Sequence, residues 1–449
     1  MKKIFQYIML AVVTIVMASC TSDIEETTAT TGKSNVQLVV GEFPAFGDSQ
    51  TRAIGTPDEG KTSWAEGDEL LLEIDNTSYG RHSATFTYNG KSWELTSGEL
   101  VYLEGDPAYI PHVYYAPNYK WEAGELFLKK GKVAGTDELI EGKARITGNG
   151  ETITVSFAEA TRKYSRLRIA TLPNEQITVD TEYFTPAGSS DMEQNGNYTL
   201  TSDEKGNAYL YGTFDNNSIV TVKYRGASLA THKFSKKTEN AKSYALDATV
   251  ISANSAEEIN SAIKQEVADG KTIIRLNLAP NAGTDEFMAI REAIKGAAPN
   301  DEGTIELTII GVETIPEEAF KRMSQLKSVK MPDVKEIKKY AFSECRYLTV
   351  VEAPSLNKLN SGAFNECNLL SKLTFGPINY ADARYWSIFE DITPNIDLIL
   401  SDYQKEMIET DDDLYTANND IDYALSNEHR NKNFLGREFK SITCIYKFE

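Results

Sequence analysis

One apolar pattern recurs three times, at an interval of 22 residues, in the C-terminal part of the chain. Segments 315–320, 337–342 and 359–364 each begin with Ile or Leu and end with Ala-Phe. Four further sets of apolar residues keep the same interval: Leu326, Leu348 and Leu370; Val329, Val351 and Leu373; Met331, Ala353 and Phe375; Val334, Leu356 and Ile378. A fixed period of this length predicts stacked, equivalent coils that bury their apolar sides against one another.

The spacing Leu-x-x-Val-x-Met within each copy is that of a leucine-rich-repeat strand. The register extends upstream to Leu307, Ile309 and Val312, so the repeats are expected over about residues 305–378. It fades downstream, where Trp386 lies one period after Phe364 and a closing strand is predicted at 397–400. Atypical segments at both ends are expected to cap the apolar interior.

Two helix–strand units precede the repeats. The first helix is predicted to begin at Ser255, its N-cap, and to end at Gly270, because apolar residues recur at helical spacing between them. A strand at 272–278, a helix at 285–297 and a strand at 304–310 follow. Helices that alternate with strands indicate parallel pairing. Residues 254–449 are therefore predicted to form an α/β leucine-rich-repeat solenoid with these units as its N-terminal cap.

The repeat motif Ile-x-x-x-Ala-Phe-x-x-Cys-x-x-Leu resembles that of the BspA-like leucine-rich-repeat family of bacterial surface proteins. The resemblance covers about residues 254–400 and, more weakly, 439–442. Cys345 and Cys367 occupy the family's cysteine position, where the first copy has Met323. We expect both cysteines to be small buried residues in neighbouring coils, with a disulfide between them as the alternative.

In such a solenoid, the side chains that point outward from the strands remain for binding. The outward positions are predicted to form two rows that run across the strands, with mixed polar character. The first row comprises Ser328, Val350 and Lys372, and the second comprises Lys330, Glu352 and Thr374. The sequence thus predicts a shallow face suited to a protein or glycan partner, and a merely solvated surface is the alternative.

The N-terminal half has a different pattern. From 36 to 250, short strand-like runs alternate with Gly, Asn, Asp and Pro, at turns spaced by roughly ten residues. This pattern predicts all-β structure, made of two antiparallel β-sandwiches at 36–148 and 149–250. The predicted boundary lies near the Gly-Asn-Gly sequence at 148–150. The whole chain is therefore predicted to be multidomain.

The segment Thr51-Arg52-Ala53, followed by Ser-Trp-Ala-Glu-Gly-Asp-Glu-Leu at 63–70, resembles the opening of fimbrillin-like proteins. Gly67-Asp68 is predicted to form a tight turn and Trp64 to be a core or edge aromatic. In fimbrial subunits, proteolysis at an arginine of the N-terminal strand opens a groove for a strand of the next subunit. The resemblance places that role on Arg52, and an ordinary surface arginine is the alternative.

The N-terminus has the layout of an export signal. Lys2 and Lys3 precede an apolar run at 4–17, and small residues follow at 18–19 before Cys20. This resembles a lipoprotein signal peptide at 1–19, whose cleavage would leave Cys20 as the lipidated residue. Residues 20–35 are acidic and Thr-rich, and are predicted to form a flexible tether. They also resemble the surface-export signal of Bacteroidetes lipoproteins, so an outer-membrane lipoprotein exposed at the cell surface is expected.

Net charge argues against nucleic acid as a partner, and cysteine content argues against disulfide cross-links. The formal net charge is −20, and nothing supplies the basic footprint that nucleic-acid binding needs. Beyond Cys20 the chain has only Cys345, Cys367 and Cys444, an odd number that argues against a disulfide framework.

No enzyme signature was found, so no catalytic residues, metal ligands or cofactors are predicted. The four histidines His82, His112, His232 and His429 are isolated from one another, and phosphate-binding, nucleophile-elbow and Cys-x-x-Cys motifs are absent from the sequence. The acidic stretch 411–422 could bind calcium weakly, but lacks the Gly and Glu of an EF-hand. A solvated acidic loop is the favoured interpretation.

The leading hypothesis is a non-enzymatic cell-surface lipoprotein, an adhesin that binds host protein or glycan through the repeats. The alternative is a structural or accessory fimbrial subunit that assembles with other subunits by strand exchange. A third hypothesis, a glycan-handling protein, draws on an aromatic cluster suited to stacking on sugars or to packing: Tyr109, Tyr114, Tyr115, Tyr119 and Trp121.

Overall fold

The structure is a computed structural model. It describes residues 25–28, 36–48, 61–100, 107–122, 124–147, 152–157, 162–378, 380–381, 388–389, 392, 395–401, 433–434 and 437–445. The predicted domain boundary at 148–150 and Trp386 lie outside these residues. Neither helix in the described part is long and apolar enough to cross a membrane.

The chain is mostly β in the described residues, with two helices. The elements of the N-terminal half are β1 Glu25–Thr28, β2 Gln37–Val40, β3 Gly47–Asp48, β4 Glu69–Asn76, β5 Gly80–Tyr88, β6 Trp93–Gly98, β7 Ala108–Tyr115, β8 Tyr119–Glu122, β9 Glu125–Leu128, β10 Ile140–Thr147, β11 Thr152–Ser156, β12 Ser165–Ala170, β13 Gln176–Pro186, β14 Glu193–Thr201, β15 Asn207–Tyr224, β16 Ala227–Lys233 and β17 Lys242–Asp247.

The C-terminal half begins with β18. Its elements are β18 Ile251–Ala253, α1 Ala256–Ala268, β19 Ile273–Leu278, α2 Thr284–Ala297, β20 Ile305–Ile310, β21 Thr314–Ile315, β22 Leu326–Lys330, β23 Glu336–Ile337, β24 Val350–Ala353, β25 Lys358–Leu359, β26 Lys372–Phe375, β27 Tyr380–Ala381, β28 Asp397–Ser401, β29 Asn433–Phe434, β30 Arg437–Glu438 and β31 Ser441–Ile445.

The first sheet has the strand order β1-β2-β11-β10-β7-β4-β5-β6. Strand β10 pairs with β7 at its start and with β11 over the rest of its length, so the sheet bends there. Trp64 packs edge-on against Trp93 at 5.2 Å and Phe157 at 5.4 Å between ring centroids. Trp93 lies on β6, the last strand of the sheet, and Phe157 directly follows β11, the third strand, so the sheet folds around one core. Trp64 is partly buried and packs against this core.

The second sheet has the order β14-β13-β15-β12-β17-β3, with β16 paired to β15. It has its own apolar core, separate from that of the first sheet. Chain connectivity links the two sheets near the N-terminus, because β2 lies in the first sheet and β3 in the second. Four residues of the predicted tether also differ from expectation, since Glu25–Thr28 pair with β2 as strand β1.

Antiparallel pairs predominate in both N-terminal sheets, but a purely antiparallel arrangement is wrong. Strand β2 pairs parallel to β11, and β17 pairs parallel to both β12 and β3. Each of these pairs joins strands that are far apart in sequence. Period-two alternation identifies strands and their buried face, but contains no information on which distant strand lies alongside.

The two helix–strand units agree closely with the sequence prediction. The Ser255 hydroxyl accepts a hydrogen bond from the Glu258 N–H at 3.3 Å, which caps the first turn of α1. The helix buries Ile259 and Ile263. Gly270 follows its end with φ of +80°, a conformation that only glycine adopts readily. Strands β18, β19 and β20 pair in parallel, as helical crossovers require.

The repeats build two parallel ladders. The long ladder runs β18-β19-β20-β22-β24-β26-β28-β31, and the short ladder runs β21-β23-β25-β27. Val329 pairs with Val351 and Val351 with Leu373, while Ile315 pairs with Ile337 and Ile337 with Leu359. Each pair is 22 residues apart, so the sequence period is the distance along the chain between neighbouring strands.

A stack of phenylalanines fills the space between the ladders. The rings of Phe320 and Phe342 lie 5.2 Å apart, and those of Phe342 and Phe364 lie 5.4 Å apart, nearly parallel in both cases. Phe287 of α2 packs edge-on against Phe320 and closes the upstream end. At the other end, Phe439 packs edge-on against Phe389. All of these residues belong to one apolar core.

Opposite charges recur at the repeat interval on the surface. Lys358 pairs with Glu336 at 2.9 Å, and Arg322 pairs with Glu344 at 2.9 Å. The partners in each pair lie on successive copies, 22 residues apart. Exposed pairs contribute little free energy individually, up to about 1 kcal/mol. Together they oppose a slip in register, since a shifted pairing would separate the charges.

Glu336 gives these pairs a pH dependence. Partial burial opposes ionisation, but hydrogen bonds from Lys358 and Asn360 outweigh it and hold the pKa of Glu336 below the ordinary glutamate value of 4.5. Because the folded-state pKa is depressed, the stabilisation is present above pH 4.5 and is lost as the pH falls through the folded-state pKa. We expect Glu336→Gln to lower stability at pH 7 and to reduce the loss on acidification.

The measurement is urea unfolding at pH 7 and at about pH 3.5, on either side of the ordinary glutamate range. Glu317→Gln serves as the control, because Glu317 is exposed on the repeats without an ion-pair partner among the described residues. Equal pH dependence in Glu336→Gln and the parent protein would show that this ion pair contributes nothing.

Candidate functional site

The six residues predicted to form the binding face lie next to one another on the long ladder. Ser328 pairs with Val350, and Val350 with Lys372, which gives the first row. The second row follows in the same register: Lys330, Glu352 and Thr374. None of the six is buried, whereas the intervening Val329, Val351 and Leu373 are fully buried in the repeat core. We call these six residues the ladder face.

Charge on the ladder face is mixed. Lys330 Nζ lies 3.6 Å from a Glu352 carboxylate oxygen, and both side chains remain more than a third exposed. Lys372 is exposed on the next strand. In a chain with a formal net charge of −20, a face with two lysines and one glutamate is locally less acidic than the protein as a whole. It therefore repels an anionic partner less strongly than the rest of the surface does.

The second sheet covers the upstream end of the long ladder. Ile310 of β20 is fully buried in the core of the second sheet, although it belongs to the ladder. The Arg275 guanidinium reaches across from β19, where Nε donates a 2.6 Å hydrogen bond to the Leu229 carbonyl. Its Nη1 donates to the Thr249 carbonyl at 3.4 Å. The repeat ladders and the second sheet are therefore in direct contact.

A cleft of about 680 Å³ lies where these two parts meet. Strands β16 and β17 of the second sheet form one wall, and β19, β20 and β22 form the other. Ser328 and Lys330 line it, so the cleft opens onto the ladder face. Its volume is within the usual range for small-molecule sites, about 300–1,000 Å³.

Sequence reasoning did not identify this cleft. The sequence offers one signal of it, Arg275, a charged residue within a largely apolar strand. The opposite wall comes from β16 and β17, which no sequence pattern places against the repeats.

Two predicted sites lie outside the described residues: Cys20 and Arg52. The described chain nevertheless bears on Arg52, because β3 ends at Asp48, four positions before it. The residues upstream include Val36, Leu38 and Val40, which are buried in the core of the first sheet. A cut at Arg52 would therefore separate core residues from the rest of the chain.

Among the described residues, no group of three or more His, Cys, Asp or Glu side chains is arranged to hold a metal ion. His82 lies 3.0 Å from the Tyr79 carbonyl, and His232 packs edge-on against Phe234. His429 and the acidic stretch 411–422 are not among the described residues.

The aromatic cluster divides between packing and exposure. Tyr115 and Tyr119 are buried, and Tyr119 donates a 2.9 Å hydrogen bond to the Ala187 carbonyl of the second sheet. Tyr114 of β7 and Trp121 of β8 stack at 5.5 Å and are partly buried. Tyr109 is exposed and donates to an Asp75 carboxylate oxygen at 2.9 Å. Packing therefore accounts for most of the cluster.

The repeat cysteines are buried free thiols, as predicted. The thiol of Cys345 donates to the Phe320 carbonyl at 3.0 Å, and that of Cys367 donates to the Phe342 carbonyl at 3.1 Å. Burial raises the pKa of Cys345 to about 12 and that of Cys367 well above its usual value. Because the thiolate is the nucleophile, both side chains are unreactive in the folded protein.

We therefore expect no modification of Cys345 or Cys367 by iodoacetamide at pH 8 in the native protein, and complete modification in urea. Peptide mass spectrometry after brief labelling distinguishes each cysteine. Rapid native labelling of either one would contradict the buried arrangement.

Comparison with known proteins agrees with the repeat geometry. The family model of the BspA type leucine rich repeat region matches residues 304–397 in six copies, which confirms the resemblance found in the sequence. No curated protein matches the chain.

Two solved structures show weak similarity. A candidate cell adhesion protein of Bacteroides fragilis has 11% identity and a TM-score of 0.27, over 51% of this chain and 93% of that one. The minor pilin of Streptococcus agalactiae has 8% identity and a TM-score of 0.17, over 48% of this chain and 94% of that one. Both scores are too low to establish a shared fold.

Proposed function

We propose that this protein is a non-enzymatic adhesin of the bacterial cell surface, anchored through lipidated Cys20, that binds an extracellular protein or glycan through the ladder face. In this proposal, residues 36–148 and 149–250 are two fimbrillin-like β-sandwiches that act as a stalk. Residues 254–449 are a leucine-rich-repeat solenoid, whose two helix–strand units form the N-terminal cap. The lipoprotein is held in the outer membrane and exposed on its outer side.

The observation that supports this proposal most is the register of the long ladder. Parallel pairing at 22-residue intervals aligns chemically different side chains into two continuous rows, with the apolar residues turned inward. A rigid scaffold of this kind presents side chains without the entropic cost of ordering a loop on binding. The BspA-type match over residues 304–397 adds support from sequence similarity.

The experiment is a matrix-protein and glycan array probed with the soluble chain that starts at residue 21. We expect a bound partner whose binding weakens at least about tenfold when Lys372 and Thr374 are replaced by alanine, as typical for hot-spot loss. Lys264→Ala/Lys295→Ala is the control, because both lysines lie on the helices, away from the ladder face. Binding that the ladder-face variant leaves unchanged would exclude this face.

A structural fimbrial subunit is the second candidate, supported by the environment of β2. Its residues Leu38 and Val40 are buried in the first sheet, and its partner β11 continues the sheet. Removal of β2 by a cut at Arg52 would leave an open groove and the unpaired edge of β11. Such an edge accepts a strand from another chain.

The two candidates differ after limited proteolysis. If the protein is a fimbrial subunit, cleavage by an arginine-specific protease produces a ladder of polymers on a denaturing gel, and Arg52→Ala prevents it. If cleaved protein stays monomeric, strand exchange is excluded and the adhesin proposal is unaffected.

A further inference from the structure

Arg275 is an unusual residue in the wall of the cleft. Its side chain is charged and only 7% of the residue is exposed. Its hydrogen-bond partners are two main-chain carbonyls, those of Leu229 and Thr249, and it has no ion-pair partner among the described residues. A guanidinium carries five N–H donors, so more than half of its hydrogen-bonding capacity has no partner there.

The charge of Arg275 is also incompletely compensated. Burial lowers the pKa of Arg275, and negative charge on Asp247, Glu266 and Glu306 offsets this effect only in part. A buried cation is stable when a directly bonded anion completes its shell. A carboxylate bound in the cleft would therefore stabilise the charged guanidinium of Arg275.

The rest of the cleft determines which kind of anion fits. Two carboxylates, Asp247 and Glu306, line the same space. They would repel a doubly charged phosphate more than a singly charged carboxylate. Each already accepts one hydrogen bond, Glu306 from Lys327 Nζ at 2.8 Å and Asp247 from the Thr249 N–H at 2.9 Å. A carboxylate has further acceptor sites, and a sugar hydroxyl is a donor that suits them.

Neutral polar and apolar contacts complete the lining. Hydroxyl side chains line both walls, with Thr231 on one and Thr308 and Ser328 on the other. Ile273, which is 45% exposed, supplies an apolar surface. Lys330 adds a second cation where the cleft opens onto the ladder face.

We propose that this cleft binds an acidic saccharide, whose carboxylate pairs with Arg275 and whose hydroxyls bond to Asp247 and Glu306. Lys330 lies at the mouth and attracts the same carboxylate or a second one along the chain. The inference rests on the proposed function, because it names the ligand class for a site continuous with the ladder face. It requires the second sheet and the repeats together, so neither part alone should bind.

Glucuronic acid and glucose are the matched probes, since they differ only in a carboxylate at one carbon. NMR titration of the soluble chain starting at residue 21 should show glucuronic acid binding at least about tenfold more tightly than glucose, the effect of one charge-assisted pair. Added salt should weaken the binding of glucuronic acid but not that of glucose. Lys330→Met should weaken the binding of glucuronic acid several-fold. Lys372→Met should leave this binding unchanged, because Lys372 lies two strands away and outside the cleft.

Arg275→Gln should abolish the preference for the acidic sugar, with the melting temperature as a check on folding. Arg275→Lys tests the same contact with the charge retained, and should keep the preference at reduced affinity. Equal binding of both sugars, no binding of glucuronic acid, or binding insensitive to Lys330→Met and Arg275→Lys would overturn the proposal. The adhesin proposal is tested separately by the double variant Lys372→Ala/Thr374→Ala. If this variant loses binding on the array but still binds glucuronic acid as the parent protein does, the adhesin proposal holds whatever the outcome for the cleft.

Discussion

Replacement of Phe342 by alanine is expected to destabilise the repeats by about 3–5 kcal/mol, the usual cost of deleting a fully buried aromatic side chain. The ring is fully buried and stacks on both neighbours, at 5.2 Å to Phe320 and 5.4 Å to Phe364. Its loss leaves a cavity at the centre of the stack, which the rigid ladders on either side prevent from collapsing. Hydrogen exchange at the amides of β22, β24 and β26 measures the loss locally.

Leu369→Ala is the matched control. Leu369 belongs to the same part of the repeats, but is 53% exposed, so its truncation should cost less than about 0.5 kcal/mol. If Phe342→Ala changes protection as little as Leu369→Ala does, the phenylalanine stack is not the core of the repeats.

The second large effect is expected at the junction of the two N-terminal sheets. Arg162 is fully buried, and its Nε and Nη2 donate to the carboxylate of Glu138 at 3.0 and 3.3 Å. Its guanidinium also lies 4.0 Å from the centre of the Phe46 ring. Arg162→Met leaves Glu138 buried without its cation, which should cost about 3–5 kcal/mol.

The double variant Arg162→Met/Glu138→Gln distinguishes the effect of the uncompensated charge from the effect of lost packing. Removal of both charges should recover much of the stability, because the penalty comes from the uncompensated carboxylate. Urea unfolding followed by tryptophan fluorescence reports on this part, since Trp64, Trp93 and Trp121 all lie in or beside the first sheet. A double variant as unstable as Arg162→Met would show that packing, not charge, dominates there.

The repeats were the most predictable part of the fold. A strict period fixes both the strand positions and their neighbours, because each coil repeats the geometry of the one before. The same reasoning placed the six residues of the ladder face next to one another. The helix start at Ser255 was equally clear, since capping depends on local sequence alone.

The remaining features depend on contacts between distant segments. Nothing in the sequence indicates that β2 pairs with β11, or that β16 and β17 form a wall of the cleft. Some turn positions were also hidden, because non-glycine residues adopt left-handed conformations there. Tyr340 and Glu344 have φ of +54° and +61°, and Glu318 and Glu366 have similar values. Glycine at these positions would have indicated the turns from the sequence. Among the equivalent positions Glu318, Tyr340 and Gly362, only the third is glycine.

The central claim is that successive 22-residue units lie side by side in parallel, since the ladder face and the cleft both depend on it. Cysteine pairs test it directly in the chain that starts at residue 21 and carries Cys444→Ser, because the other native cysteines, Cys345 and Cys367, are buried. Oxidation of Ser328→Cys/Val350→Cys should form a disulfide rapidly, as these positions are paired neighbours. Ser328→Cys/Glu352→Cys, displaced by two residues, should oxidise much more slowly. Faster cross-linking in the displaced pair, or none in either, would contradict the parallel register.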